Sequence, residues 1–140
     1  LSLNATSLNV PSASYGDCTA TVSGVDFVGK QLFLGSNGIQ MRVKKGKTSY
    51  FYNDSAIQGD IKSITLNFNS GKPTEDGMLI VNVGETKMDA VKQDGASVTI
   101  TNNKFTLQTE KTGIKWFNIC HSATSGAVYL DSIDVVYIAA

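Results

Sequence analysis

The sequence predicts an all-β protein built as an antiparallel β-sandwich, and its strand number favours a jelly roll. About eight or nine short runs rich in β-branched and aromatic residues follow one another at fairly regular spacing. The chain is also rich in Ser, Thr, Asn and Gly, which suits short strands joined by turns. No segment has a convincing helical pattern, since residues 85–91 could form only one isolated turn.

An immunoglobulin-like sandwich is the alternative fold. Antibody domains place a Trp between two Cys residues that are well separated along the chain. Here Trp116 lies only four residues before Cys120, so that spacing is absent.

Length and charge set the broad class. The 140 residues fit one β-sandwich domain spanning 1–140, with residues 1–29 as a leading arm and the first strands. Twelve basic and twelve acidic residues cancel. Because phosphate neutralisation needs an excess of Lys and Arg, we expect no nucleic-acid partner. No apolar run approaches the roughly 20 residues that span a bilayer, so we expect no membrane span. The chain starts at Leu1 without a Met, so we expect a mature or trimmed fragment, from which any signal peptide, lipid-anchor Cys or neighbouring domain of a larger chain has been removed.

The first third of the chain contains three strand candidates. Residues 1–10 are mostly polar and end at Pro11, as is typical of an edge strand or arm. Residues 18–28 and 31–34 carry β-branched and aromatic side chains. We expect these three segments to supply the first strands.

A hairpin with a basic loop is predicted over residues 39–53. Residues 39–43 alternate between apolar and polar side chains. The turn formed by residues 44–47 carries three lysines, and residues 49–53 (SYFYN) return as a strand.

Further strands follow in the second half of the chain. Residues 61–68 place Ile64, Leu66 and Phe68 on one inward face. Residues 78–83 follow a loop dense in turn formers. A second hairpin is predicted around Asn102 and Asn103, two residues that tolerate positive φ.

The C-terminal segment, residues 115–138, is predicted to form two core strands. Val128 and Leu130 have one parity, whereas Ile133 and Val135 have the other. A continuous inward face therefore requires a β-bulge at residues 131–132.

No catalytic signature is present, and we expect a protein that is not an enzyme. Cys120 and His121 are adjacent, so on a strand their side chains point to opposite faces and cannot act as nucleophile and base. His121 is the only histidine and is predicted to be structural or on the surface. The acidic residues are scattered, and the D-x-D-x-D-G calcium loop is missing. We therefore assign no metal ligand and expect no cofactor, although a structural calcium ion remains open.

The two cysteines, Cys18 and Cys120, have no metal-ligand spacing. Either both are small buried hydrophobic residues, or they form a disulfide between the first and last parts of the domain.

An aromatic surface is the better candidate for binding. Sugars present apolar C–H faces, which stack on exposed Tyr or Trp rings beside polar side chains. If Phe51 and Phe117 point inward, the neighbouring aromatic residues point outward and form such a platform. The alternative is that these rings are covered or simply support cross-strand pairs. The candidate ligand-binding residues are Trp116, Tyr50, Tyr52, Arg42 and Asn118.

A family resemblance extends this interpretation. The stretches IQMRVKKGKTSYFYN, IKSITLNF and KWFNICHSATSGAVYLDSIDVVY resemble the small galactose-binding-like jelly-roll domains of secreted and surface proteins of gut Bacteroidetes. A Gly-x-Ile-x-x-Ile-x-Leu strand is matched by residues 59–66, and a final Tyr-Leu-Asp-Ser-Ile-x-Val strand by residues 129–135. The resemblance covers residues 32–137 and concerns core positions and turns.

The resemblance implies a non-catalytic accessory module, secreted or at the cell surface, whose partner is a glycan or a surface protein. Such domains also occur in phages of these hosts. The implied alternative is therefore a virion component, in a fibre or in capsid decoration.

Overall fold

The computed structural model describes residues 1–122 and 124–139, and within them the protein is all-β. Its twelve strands lie in antiparallel pairs, which confirms the predicted fold class. The strands are β1 (Ser2–Leu3), β2 (Gly16–Val22), β3 (Val25–Gly35), β4 (Gly38–Lys44), β5 (Lys47–Thr48), β6 (Tyr50–Asn53), β7 (Gly59–Phe68), β8 (Leu79–Gly84), β9 (Ala96–Ser97), β10 (Lys104–Gln108), β11 (Trp116–His121) and β12 (Ala127–Ala139).

Eight strands pair as in a jelly roll. The first sheet has the order β10-β7-β12-β4, and the second has the order β6-β11-β8-β9. The last two strands of the chain, β12 and β11, thus lie inside the first and second sheets respectively. This is the arrangement produced by two Greek keys, so the jelly-roll prediction is confirmed.

Strand β3 belongs to both sheets. Its first part pairs with β2 and β6 in the second sheet, and residues 33–35 pair with β4 in the first. The passage occurs at Gln31, whose φ of 54° departs from the extended conformation. The two sheets are therefore continuous along one edge and curl into a near-barrel.

Ser49 makes hydrogen bonds at the corner of the fold, the place where β3 passes from one sheet to the other. Its buried hydroxyl donates to the Gln31 carbonyl oxygen and accepts from the Arg42 amide at 2.8 Å. Its backbone N–H donates to the Arg42 carbonyl at 2.8 Å, and its carbonyl accepts from the His121 amide at 2.9 Å. One residue thus connects β3, β4 and β11 at the start of β6.

The core lies between the inner faces of the two sheets. Ile64, Leu66 and Phe68 are buried in it, as the alternation predicts. Phe117 packs between Phe51 and Phe27, with ring centroids 6.3 Å and 6.1 Å apart. These inward rings fix which residues of β6 and β11 face outward.

The predicted hairpin over residues 39–53 is only partly correct. β5 turns back along β4 through Lys45 and Gly46, which both have positive φ. β6, however, crosses to the second sheet and pairs with β3 and β11. In a jelly roll successive strands alternate between sheets, so a tight local turn does not keep the following strand beside its predecessor.

The turn at Asn102 and Asn103 forms as predicted, with φ values of 52° and 61°. Its two arms do not form a long hairpin. Only Thr101 and Lys104 bridge, after which β9 and β10 join different sheets. The same alternation between sheets separates them.

The bulge predicted in the last strand is confirmed. Leu130 pairs with Phe68 and Ser132 with Asn67, which leaves Asp131 outside the regular ladder. This insertion lets Leu130 and Ile133 both face the core, where each is fully buried.

Substitution of two glycines in turns tests whether the fold requires positive φ at these positions. Gly38 (φ 91°) and Gly46 (φ 77°) both need positive φ, but a Cβ on Gly38 would collide with the Leu130 carbonyl oxygen, whereas one on Gly46 meets nothing within 4 Å. Gly46→Ala should cost about 1–2 kcal/mol for the conformation alone. Gly38→Ala should lose a further 1–3 kcal/mol or so from overpacking, measured by urea unfolding. Equal losses in the two variants would contradict this account.

Candidate functional site

The outer face of β6 and β11 carries the predicted aromatic residues. Because Phe51 and Phe117 are buried, Tyr50, Tyr52 and Trp116 point away from the core. The two tyrosine rings lie 6.0 Å apart with an interplanar angle of 17°. Trp116 shares their face at a diagonal position, two residues from the partner of Tyr52. The structure thus brings these three aromatic residues to one face.

Residues 85–95, here called the strap, cover part of this face. The Asn118 side chain donates to the carbonyl oxygens of Met88 and Ala90 at 2.6 and 2.9 Å. The Lys92 amide donates to Cys120 Sγ at 3.1 Å. Asn118 and Cys120 are consequently fully buried. The prediction of Asn118 as a ligand-binding residue does not fit this structure, because its amide holds the strap.

The strap leaves the three aromatic residues unequally accessible. Tyr52 retains only 6% of its surface, whereas Tyr50 and Trp116 are half-buried. Lys87 of the strap forms an ion pair with Asp54, at the end of β6. The sequence left open whether these aromatic rings are covered. In the structure Tyr52 is covered, whereas Tyr50 and Trp116 remain in contact with solvent.

A polar cleft of about 410 Å³ adjoins the tyrosines on the same outer face. Val28, which lines it, is the direct ladder partner of Tyr52. Hydrogen-bonding groups dominate the lining, and Thr21 Oγ1 donates to Asp26 Oδ1 at 2.6 Å. The cleft is lined by Thr19, Ala20, Thr21, Asp26, Phe27, Val28 and Asp54.

Sequence reasoning missed this cleft because it did not pair β2 with β3. The available signal was the dipeptide Ser23-Gly24 between two β-rich runs. Both residues have positive φ and form the two-residue turn of a hairpin. That register places Thr21 opposite Asp26.

Arg42 lies apart from the other predicted residues. It belongs to β4 of the first sheet, and the burial of Met41 directs its side chain outward. Its guanidinium carbon lies 3.6 Å from the centroid of the Tyr15 ring. The grouping of Arg42 with Tyr50 depended on the 39–53 hairpin and fails with it, because β4 and β6 lie in opposite sheets.

The tyrosines of the outer face are neutral hydrogen-bonding groups. Burial raises the pKa of Tyr50, while nearby Lys30 lowers it by a smaller amount. Burial also raises the pKa of Tyr52, and Asp54 adds to that effect. Both phenols therefore stay protonated at neutral pH and can donate to a polar ligand.

Cys18 and Cys120 are free thiols, so the disulfide alternative does not occur in this structure. Their strands are separated by β3 and β6, a distance of about 14 Å at ordinary strand spacing. A disulfide requires Cα atoms within about 7 Å. Burial raises the pKa of both thiols. His121 is fully buried at the end of β11.

Among residues 1–122 and 124–139, no three His, Cys, Asp or Glu side chains are grouped as metal ligands. The same residues form no helix with the length and apolar character needed to cross a membrane.

No protein family, curated protein or solved structure matches this chain. The resemblance to galactose-binding-like domains therefore stays a prediction from residue pattern.

Two of the strap's attachments should differ in their effect on stability. Asn118→Ala removes the two hydrogen bonds that its amide donates to the strap and the one that its Oδ1 accepts from Cys120 Sγ, and it leaves two carbonyl groups without their donor, so it should cost about 2–3 kcal/mol. Lys87→Met removes only an exposed ion pair and should cause no measurable change. Chemical denaturation measures both variants, and hydrogen exchange should report faster opening of residues 85–95 only in Asn118→Ala. A larger effect from Lys87→Met would contradict this assignment.

Proposed function

We propose that this protein is a non-catalytic carbohydrate-binding module of a secreted or cell-surface protein. The observation that carries the proposal is the half-buried Tyr50 ring, which stacks on the covered Tyr52 ring, whose ladder partner Val28 lines a polar cleft. Flat aromatic surface next to fixed hydrogen-bonding groups suits the alternating apolar and hydroxyl surfaces of a sugar.

Binding at this face would combine stacking with hydrogen bonding. The accessible part of Tyr50, with Trp116 at the other end, supplies apolar contact for a C–H face of the ligand. Thr19 and the carboxylates of Asp26 and Asp54 supply acceptors for sugar hydroxyls. Because the tyrosines are neutral, affinity at this face should depend little on salt.

The proposal is tested by a glycan array followed by titration of Trp116 fluorescence with the polysaccharides that bind. Tyr50→Ala and Trp116→Ala should each weaken binding by roughly five- to tenfold, the effect of losing one aromatic contact. Tyr129→Ala is the matched control, since Tyr129 is a half-buried tyrosine of the first sheet. A lack of response to every glycan, or an equal loss in Tyr129→Ala, would refute the proposal.

A second candidate function is a structural role in an assembly such as a phage virion. It is favoured by Val136 and Ile138 of β12, which are 55% and 61% exposed. They alternate along one strand and form a small exposed apolar pair that a protein contact would bury.

The assembly role predicts a defined oligomer in light scattering at increasing protein concentration. Val136→Thr combined with Ile138→Thr keeps the β-branched shape, so the fold should be retained while the oligomer dissociates. A monomer at all concentrations, or an oligomer unaffected by the double variant, would argue against this role.

A further inference from the structure

We propose that a second site, at the β4–β5 turn, binds the anionic groups of an acidic polysaccharide. The site is a cleft of about 300 Å³ on the opposite sheet from the β6–β11 platform. No acidic side chain lines it. Its lining, called the basic cleft below, consists of Tyr15, Gln31, Arg42, Lys44, Lys45 and Lys47.

The fold concentrates positive charge at this place. The two-residue turn at Lys45 and Gly46 brings Lys44 directly opposite Lys47 in the ladder. Like charges at opposed positions destabilise a strand pair. A bound anion would reduce this repulsion between the two lysines.

This charge is not neutralised by the protein. Residues 27–53 contain five cationic side chains and no Asp or Glu. The ion pairs among the described residues use other lysines, namely Lys30, Lys87, Lys92 and Lys115. The nearby Asp17 carboxylate already forms an ion pair with Lys30 and accepts a hydrogen bond from the amide of Gln31. A chain with zero formal charge thus keeps four uncompensated cations together.

Arg42 is positioned to receive an oxyanion. Its guanidinium stacks on Tyr15, whose ring packs 5.3 Å from Phe33 and whose hydroxyl lies 3.4 Å from the Gln40 amide oxygen. The guanidinium makes no hydrogen bond to the part of the chain that the structure describes. Stacking holds the plane of the guanidinium and leaves its N–H edges available for a carboxylate or a sulfate.

The anionic part of the inference rests on the basic cleft alone, while the saccharide part rests on the proposed function. Gln31 of the cleft follows Lys30, the ladder partner of Tyr50. Ser49 links Gln31 and Arg42 immediately before Tyr50 in the chain. Along the chain, the basic cleft is thus joined to the tyrosine face through Ser49, and the acidic groups of a saccharide would bind at the basic cleft.

Affinity gel electrophoresis with three embedded polymers tests the inference. Polygalacturonate presents carboxylates, dextran sulfate presents sulfates, and dextran is the neutral control. Both acidic polymers should retard the protein, and added NaCl should weaken the retardation. The relative affinity for the two identifies which oxyanion is preferred.

Arg42→Gln should weaken binding of the acidic polymers at least about tenfold, as expected for loss of a charge-assisted hydrogen bond. Lys111→Gln, an exposed lysine with the same charge change, should stay within about twofold, because a remote exposed charge is largely screened. If Arg42→Gln melts at a lower temperature, Lys44→Gln combined with Lys47→Gln tests the same cleft through exposed side chains.

Three results would overturn the inference: equal retardation by dextran, equal losses in Arg42→Gln and Lys111→Gln, or tighter binding of duplex DNA than of polygalacturonate at the same salt. The two proposals fail separately. If the protein responds to neutral glycans through Tyr50 but is not retarded by the acidic polymers, only this inference is refuted. If the acidic polymers retard the protein through Arg42 but Tyr50→Ala has no effect on glycan binding, only the proposed binding face on β6 and β11 is refuted.

Discussion

The hydrogen bonds of Ser49 are the constraint on which the rest of the structure depends. A jelly roll needs its two sheets to be joined in a fixed relation, and Ser49 links β3, β4 and β11 where β3 passes from one sheet to the other. The Ser49 hydroxyl both donates and accepts, and the two backbone groups of the same residue bond to β4 and β11. Because all of these groups are buried, any one left without its partner would be costly.

The geometry at this corner explains why the two proposed sites are close in sequence but face different directions. Arg42 and Tyr50 are eight residues apart, yet the passage through β5 and Ser49 moves the chain from one sheet to the other. The fold thus presents an aromatic, nearly neutral face and a strongly basic cleft on either side of one corner. The two proposed sites are thus separated in space within one domain.

The sequence predicts the features that depend on neighbouring residues. Alternation identified the inward side of β7, and the change of parity near Asp131 located the bulge, because side-chain direction on a strand is a local property. The sheet that each strand joins is not local. The 39–53 hairpin was therefore correct only for β4 and β5, and the grouping of Arg42 with Tyr50 fails because β6 joins the other sheet.

The sequence predicted the candidate site on β6 and β11 about as well as it predicted the fold. The outward direction of Tyr50, Tyr52 and Trp116 follows from the buried phenylalanines beside them. The burial of Asn118 does not, because it results from the strap, which has no secondary structure and no periodic pattern. The partner of a buried amide in such a case is a backbone carbonyl, and backbone groups carry no sequence signal.

That mode of attachment has an evolutionary consequence for the strap. Asn118 and Cys120 hold it through main-chain atoms of Met88, Ala90 and Lys92, so these three contacts do not specify side chains of the strap, whereas Gln93 is held through its side-chain amide, which donates to the His121 carbonyl. Substitutions on its outer surface can accumulate while its path over β11 is preserved. The outer surface of the strap, which forms the rim of the tyrosine face, can therefore vary in sequence on an unchanged scaffold.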